Sequence, residues 1–243
     1  HPSGLQGSCI VLDADGKDDW GTQRLAPLAD YQNCQPESLL QRIEDTGVVG
    51  LGGAAFPSEV KLASAGQGNV ETLIINGAEC EPYISCDDLL MRERAEEVLT
   101  GIDILMHLLK AKRCIIGIED NKPEAIAALN LALGTSEAER QDSQSPSIAD
   151  KTFLQSAPRI EIVAVPTMYP SGDARQLTRI LTGVEIPKNV RSTSLGLLCH
   201  NVGTAYSIHQ AVVEGKPLIS RITTVTGNGI KQPQNFEALI GTP

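Results

Sequence analysis

The sequence has no basic run, no long apolar run and no closely paired cysteines, and each absence removes a class of function. Lys and Arg number 20 against 30 Asp and Glu, a net charge of −10, and the cations are scattered. A protein that grips a phosphate backbone needs clustered cations, so nucleic acid is not the expected partner. The most apolar stretch, Ile102–Ile118, is broken by Asp103, His107, Lys110, Lys112 and Arg113. Nothing approaches the roughly 18 apolar residues that span a bilayer, and no secretory signal is visible. The six cysteines, Cys9, Cys34, Cys80, Cys86, Cys114 and Cys199, contain no CxxC pair. That is not a secreted disulfide framework, and it gives zinc or an iron–sulfur cluster no close thiolates. No metal site is expected, and the expected setting is reducing and cytoplasmic. The chain opens on His1 rather than Met and reads as a piece of something longer.

What remains is an ordinary globular balance, 41% hydrophobic and 21% charged, which excludes collagen-like, coiled-coil and disordered classes. The length fits one large domain with appendages, or two domains. Residues 1–35 read as an irregular lead-in with one short strand at Cys9–Leu12. Glu37–Asp45 has helical spacing and stops at Gly47. Beyond it the chain alternates. ETLIIN (71–76), RCIIGI (113–118) and RIEIVAV (159–165) predict strands. Asp87–Leu109 predicts one long amphipathic helix, Asn121 a cap opening a helix through Leu133, and Asp173–Leu181 a further helix. Residues 135–150, rich in Ser, Gln, Asp and Glu, read as a loop. Strands alternating with helices predict an α/β fold, a mainly parallel sheet with helices on both faces. Ligands of such sheets sit at the carboxyl ends of the strands. The tail from Ile219 reads as strand and turn.

Four segments carry the candidate chemistry. Gly47–Pro57 holds four glycines in its first seven residues, with Lys61 eight residues beyond Gly53. Gly50, Gly52 and Gly53 make either a backbone cradle for a phosphate or a flexible turn. The spacing matches neither GxGxxG nor GxxxxGK[ST]. Asn76-Gly77-Ala78-Glu79-Cys80-Glu81-Pro82-Tyr83 follows a strand. Its carboxylates are placed to accept hydrogen bonds from sugar hydroxyls, to work as acid or base, to bind a metal, or to open the next helix as a solvated turn. Pro166–Asp173, with Tyr169 and Gly172, is an anion-holding helix start or a plain connection. His200-Asn201-Val202-Gly203-Thr204 precedes an apolar helix over Ala205–Val213, with Thr204 as its candidate cap. His107 and His209 sit in helices as packing or surface residues.

Taken in order, GLGGAAFPSEVKL, LIINGAECEPYISCDDLLM, IEDNKPEAIAAL, VPTMYPSGDARQLTRILTG and HNVGTAYSIHQAV resemble the C subunit of the Rnf (Rsx) ion-translocating electron-transport complex. More distantly they resemble the flavin- and NADH-binding subunit of respiratory complex I. The likeness runs over essentially the whole chain. It implies a Rossmann-like domain at 36–215 that binds FMN, takes hydride from NADH and passes single electrons to 4Fe-4S clusters in a C-terminal domain outside this sequence. The lead-in at 1–35 would then belong to an N-terminal domain, and 216–243 would open a small β-grasp-like (SLBB) module. The resemblance places Gly50, Gly52, Gly53 and Lys61 around the FMN ribityl phosphate. Phe56 would face the dinucleotide, and Asn76, Glu79 and Glu81 would lie beside flavin and nicotinamide. Tyr169, Gly172, Asn201 and Thr204 would complete the cofactor site, with Glu79 and Glu81 as the catalytic pair. It also implies the other Rnf subunits as partners, holding the protein peripherally on the cytoplasmic side of the inner membrane. The chain departs from the family pattern at Ala55, usually Gly, and at Ala174, often Glu. Those departures favour a second reading, a flavin-free docking protein similar to the A subunit of the sodium-translocating NADH:quinone reductase.

Overall fold

The computed structural model describes residues 10–242 except positions 12, 14, 18, 23, 67–68 and 143–158. The apolar, β-branched runs form β1 (Thr72–Gly77), β2 (Arg113–Glu119) and β3 (Arg159–Val165), and a fourth strand, β4, spans Leu197–Asn201. All pair in parallel in the order β3-β2-β1-β4. Leu73, Ile74 and Ile75 of β1 are fully buried, as a parallel strand covered on both faces must be. The chain builds outward from β1 to β2 and β3, then returns to place β4 on the other side of β1. That reversal is the topological switch point at which such sheets bind ligands, and it sets Asn76 beside Asn201.

One face is covered by α4 (Ala95–Leu109), α5 (Pro123–Asp142) and α7 (Val202–His209), with α1 (Pro36–Asp45) and α2 (Ser58–Gly66) packed outside them. Helix α4 is buried almost all round, with Val98, Ile102, Ile104 and Leu105 at zero exposure. It runs so close to α7 that a Cβ on Gly101 would lie 1.9 Å from the Ala205 carbonyl oxygen. The other face is covered by α6 (Ala174–Thr182), whose Leu177 packs on Ile74, Ala78 and Val165. Helices on both faces of a parallel sheet are therefore observed, as the alternation predicts. Beyond a π-helical turn at Gln210–Glu214, β5 (Ser220–Val225) and β6 (Gln234–Leu239) form a separate antiparallel hairpin. No helix among the described residues is long and apolar enough to cross a membrane.

Four expectations change. The helix predicted over 87–109 is two: α3 (Cys86–Glu93) and α4, broken at Arg94 with φ −134 and ψ 37. Helix α3 packs mainly against α5 and the hairpin and α4 mainly against α7, although each also touches the other's main helical partner. Helix α5 continues past Leu133 to Asp142. The Glu, Ala, Arg and Gln of 137–141 that resembled a loop are good helix formers, and positions 143–150 of that loop lie outside the described residues. Cys9 and Leu12 of the expected first strand also lie outside them, while Ile10 and Val11 are exposed and belong to no regular element. Finally, the helix after β4 begins at Val202 and is capped by Asn201 rather than Thr204.

Candidate functional site

A cleft of about 450 Å³ opens at the carboxyl ends of β1 and β4. Ten of the twelve sequence-predicted residues line it: Gly50, Gly52, Phe56, Lys61, Asn76, Glu81, Tyr169, Gly172, Asn201 and Thr204. Gly53 and Glu79 do not.

The glycine loop closes on itself through the Gly50 amide, which donates to the Phe56 carbonyl at 2.8 Å, and a bridge between Val49 and Pro57. It is then fastened to α7, because the Leu51 amide donates to the Thr204 hydroxyl at 2.9 Å. Gly52 lies against Asn201, where a Cβ would meet the Asn201 Cβ at 3.2 Å. Gly53 has φ +117 and faces open space. Ala55 has φ +48, in the left-handed region that favours glycine. Its methyl is not part of the cleft wall, so the departure from the family pattern acts on backbone conformation.

Asn76 and Asn201 are held tightly. The Asn76 amide donates to the Gly172 carbonyl at 2.7 Å and its oxygen accepts from the Ala78 amide at 3.0 Å. This joins the end of β1 to the Pro166–Asp173 segment. The same junction explains Gly172, where a Cβ would sit 2.5 Å from the Ala78 carbonyl oxygen and 2.9 Å from the Cys80 sulfur. Asn201 accepts from the Gly203 and Thr204 amides at 2.9 and 3.3 Å, capping α7. Asp173 caps α6 in the same way, accepting from Arg175 and Gln176.

The two predicted carboxylates separate. Glu81 is exposed and lines the cleft. Glu79 is buried, and its oxygens accept from the Asp87 amide at 3.0 Å, the Asp88 amide at 3.3 Å and the Cys86 thiol at 3.1 Å. It is the anion at the positive end of α3. Burial and the neighbouring Asp87 and Glu79 carboxylates push the Cys86 thiol up to about 12, so it stays protonated as a donor.

Among the described residues, Lys61 is the one lysine or arginine in the cleft wall. Its ammonium donates to the Cys199 carbonyl, and burial lowers its pKa below the ordinary lysine value. Beside it stand two groups the sequence did not single out. Ser58 Oγ and His200 Nε2 are buried, belong to lining residues and have no hydrogen-bond partner among the described residues. Burial, reinforced by Lys61, holds the His200 imidazole well below its usual pKa, so it is neutral. Ser58 follows the loop proline and opens α2, and His200 sits at the end of a strand too short to announce itself. At the mouth, Phe56 and Tyr169 are 51% and 70% exposed, offering flat apolar surfaces to a ring system. Ala174 also lines the wall, contributing no polar group. No group of three or more His, Cys, Asp or Glu suited to a metal ion occurs among the described residues. The arrangement as a whole is a cradle for a large ligand with an anionic end near Lys61 and a planar part near the aromatic mouth.

A family model for the Nuo51 FMN-binding domain matches residues 43–210. The chain is similar to the C subunit of the ion-translocating oxidoreductase complex of Pseudomonas aeruginosa, with 50% identity over 100% of this chain and 28% of that protein. The counterpart from Serratia proteamaculans is 48% identical, over 100% of this chain and 31% of its own. The chain thus spans about a third of the length of these relatives. An NAD+-reducing NiFe hydrogenase solved in the air-oxidized state superposes with a TM-score of 0.68 at 21% identity, over 90% of this chain and 41% of that one. At that identity the likeness is one of fold. The sequence motifs, the switch-point cleft and these matches agree: the chain belongs to the Nuo51 FMN-binding domain family, alongside the C subunits of the ion-translocating oxidoreductase complexes.

Proposed function

We propose that the cleft holds FMN and that the chain is the electron-input part of an Rnf-type complex, oxidising NADH and passing electrons to 4Fe-4S clusters elsewhere in the full-length protein. In this reading residues 36–215 are the flavin domain and 216–243 open the following module. The observation that carries it is the pair of orphaned polar atoms, Ser58 Oγ and His200 Nε2, buried beside Lys61 at the switch point. A buried polar group without a partner costs about 1–3 kcal/mol, and a phosphate at this end of the cleft supplies a counter-charge to Lys61.

When bound, FMN supplies the chemistry of accepting a hydride pair and releasing single electrons. The chain does the rest. Gly50 and Gly52 let the backbone approach the ligand, and Thr204 keeps their loop fixed through the Leu51 amide. Asn76 and Gly172 hold the acidic loop against the Pro166–Asp173 segment. Glu81 presents a carboxylate to the polar part of the ligand, and Phe56 and Tyr169 shield the planar part from water at the mouth. Glu79 acts on the site by fixing α3 rather than by touching the ligand. The other subunits of the complex would hold the protein at the cytoplasmic side of the membrane. The flavin-free docking reading leaves the switch-point cleft and its lysine without a ligand.

The test is an absorbance spectrum of the protein after incubation with excess FMN and desalting, followed by NADH without oxygen. Retained visible flavin bands that bleach on NADH addition are expected. Failure of the full-length protein to retain flavin would overturn the proposal.

A further inference from the structure

A second, smaller cavity of about 110 Å³ lies between α3, the start of α7 and the hairpin, with Leu51 of the glycine loop in its wall. Asp87, the second residue of α3, faces it. The Asn201 amide nitrogen donates to Asp87 Oδ2 at 2.7 Å, so the one side chain joins α3 to the cap of α7. An asparagine amide is nearly symmetric in shape, and only its hydrogen-bond partners decide which end is which. Here the Asp87 carboxylate takes the nitrogen, leaving the oxygen for the Gly203 and Thr204 amides. Thr204, so placed, accepts from the Leu51 amide at 2.9 Å, while Arg221 of β5 approaches the Leu51 carbonyl at 3.5 Å. Both backbone groups of the residue between Gly50 and Gly52 are thereby engaged from outside the loop.

We propose that Asp87 is a positioning residue for the cleft, setting the glycine loop through Asn201 and Thr204, and that Arg221 makes the hairpin part of the same clamp. This deepens the flavin reading and rests on it only for the identity of the ligand. The charged groups around Asp87 are Glu79 and Glu81 from the loop ahead of α3, Arg94 at the helix break, and Arg221 and Glu237 from the hairpin. Burial first, and Glu79 next, push the Asp87 carboxyl up to about 7, against the Asn201 hydrogen bond and Arg221. The carboxylate therefore gains a proton just below neutrality. Its hold on Asn201 then loses the assistance of charge, and the negative field that Asp87 contributes near Arg221 is lost.

The test needs no ligand. Backbone hydrogen exchange at Leu51 is followed by NMR at pH 8 and pH 6, corrected for intrinsic rates, in wild type, Asp87→Asn and Arg221→Gln. Wild-type protection of Leu51 should fall about tenfold between pH 8 and pH 6. Asp87→Asn should be low and equal at both, and Arg221→Gln intermediate. Amides of β1 report whether each variant is folded. A merely structural Asp87 would lower protection everywhere without removing the pH step. Protection in Arg221→Gln equal to wild type, or a wild type with no pH step at Leu51, overturns the proposal. FMN affinity is then measured on the same variants. Failure of the wild type to bind FMN would sink the flavin reading and leave the exchange result standing, whereas weaker binding by Asp87→Asn alone is the outcome expected of a positioning residue.

Discussion

Glu79 and Glu81 are two residues apart and look interchangeable in sequence, yet the structure gives them different work, and substitution should separate them. Glu79→Ala removes the acceptor of two α3 backbone amides and one thiol. A hydrogen bond to a charged group contributes about 1.5–3 kcal/mol, and loss of a helix cap costs about 0.5–2 kcal/mol. The 3.3 Å contact is weak and the contributions overlap, so a total of about 2–4 kcal/mol is expected. For a domain of this size each kcal/mol lowers Tm by about 2–4 °C, which places Glu79→Ala about 4–16 °C below wild type by differential scanning calorimetry. Glu81→Gln, on an exposed carboxylate, should stay within about 0.5 kcal/mol of wild type. In the flavin-loaded protein it should instead slow NADH-driven bleaching by roughly tenfold or more, as expected for a charge beside the reacting rings. A Glu79→Ala protein that melts with wild type would refute the capping assignment. Glu81→Gln melting as low as Glu79→Ala would refute the separation of roles.

Three further outcomes follow from the geometry. Ser58→Ala, His200→Gln and Lys61→Met should each weaken FMN but leave riboflavin, which lacks the phosphate, unchanged by isothermal titration calorimetry. Equal losses for both flavins would move the anionic end away from Lys61. Ala55→Gly relieves a left-handed strain of about 1–2 kcal/mol at a backbone-entropy cost of about 0.5–1 kcal/mol. The net gain of about 0–1.5 kcal/mol should raise Tm by up to about 6 °C, and a lower Tm would contradict the strain. Asp87 binds a proton more tightly when folded (about 7) than its unfolded value near 3.9. Global unfolding exposes this carboxyl, so wild-type stability should decline as pH rises from about 4 to 7 and level off above, even though the local hold on Leu51, whose opening leaves Asp87 buried, tightens over the same range; Asp87→Asn lacks both slopes. Urea titrations at pH 5 and pH 8 that show the same difference in both proteins would exclude Asp87 as its source.

The sheet was legible because ETLIIN, RCIIGI and RIEIVAV are apolar runs of strand length bounded by turns, and their spacing through helices forces parallel pairing. Strand β4 was not, since LLCHN carries only two strong apolar residues and its partner lies across the switch point. The break at Arg94 was invisible because the apolar period continues through it from Leu90 to Val98. What bends the chain there is packing against different neighbours, which no local pattern records. Most of the cleft was legible as motifs, yet the division of labour inside it was not. Nothing in GAECEP says which glutamate turns towards α3, and nothing marks Ser58 or His200 off from their neighbours inside GLGGAAFPSEVKL and HNVGTAYSIHQAV. Their importance appears only once burial leaves them unpartnered.

The late return of the chain to β4 also fixes when the cleft can exist. Leu51 and Thr204, whose contact closes the glycine loop, are 153 residues apart, and Asn76 and Gly172 are 96 apart. During synthesis, β1, β2 and β3 have all been made before the strand that completes the switch point. A nascent chain ending before β4 can pack part of its sheet but has no floor for a ligand, so cofactor loading belongs to the finished domain. Until then the edge of β1 destined for β4 lies open, a window in which a chaperone would protect the chain and free FMN would not.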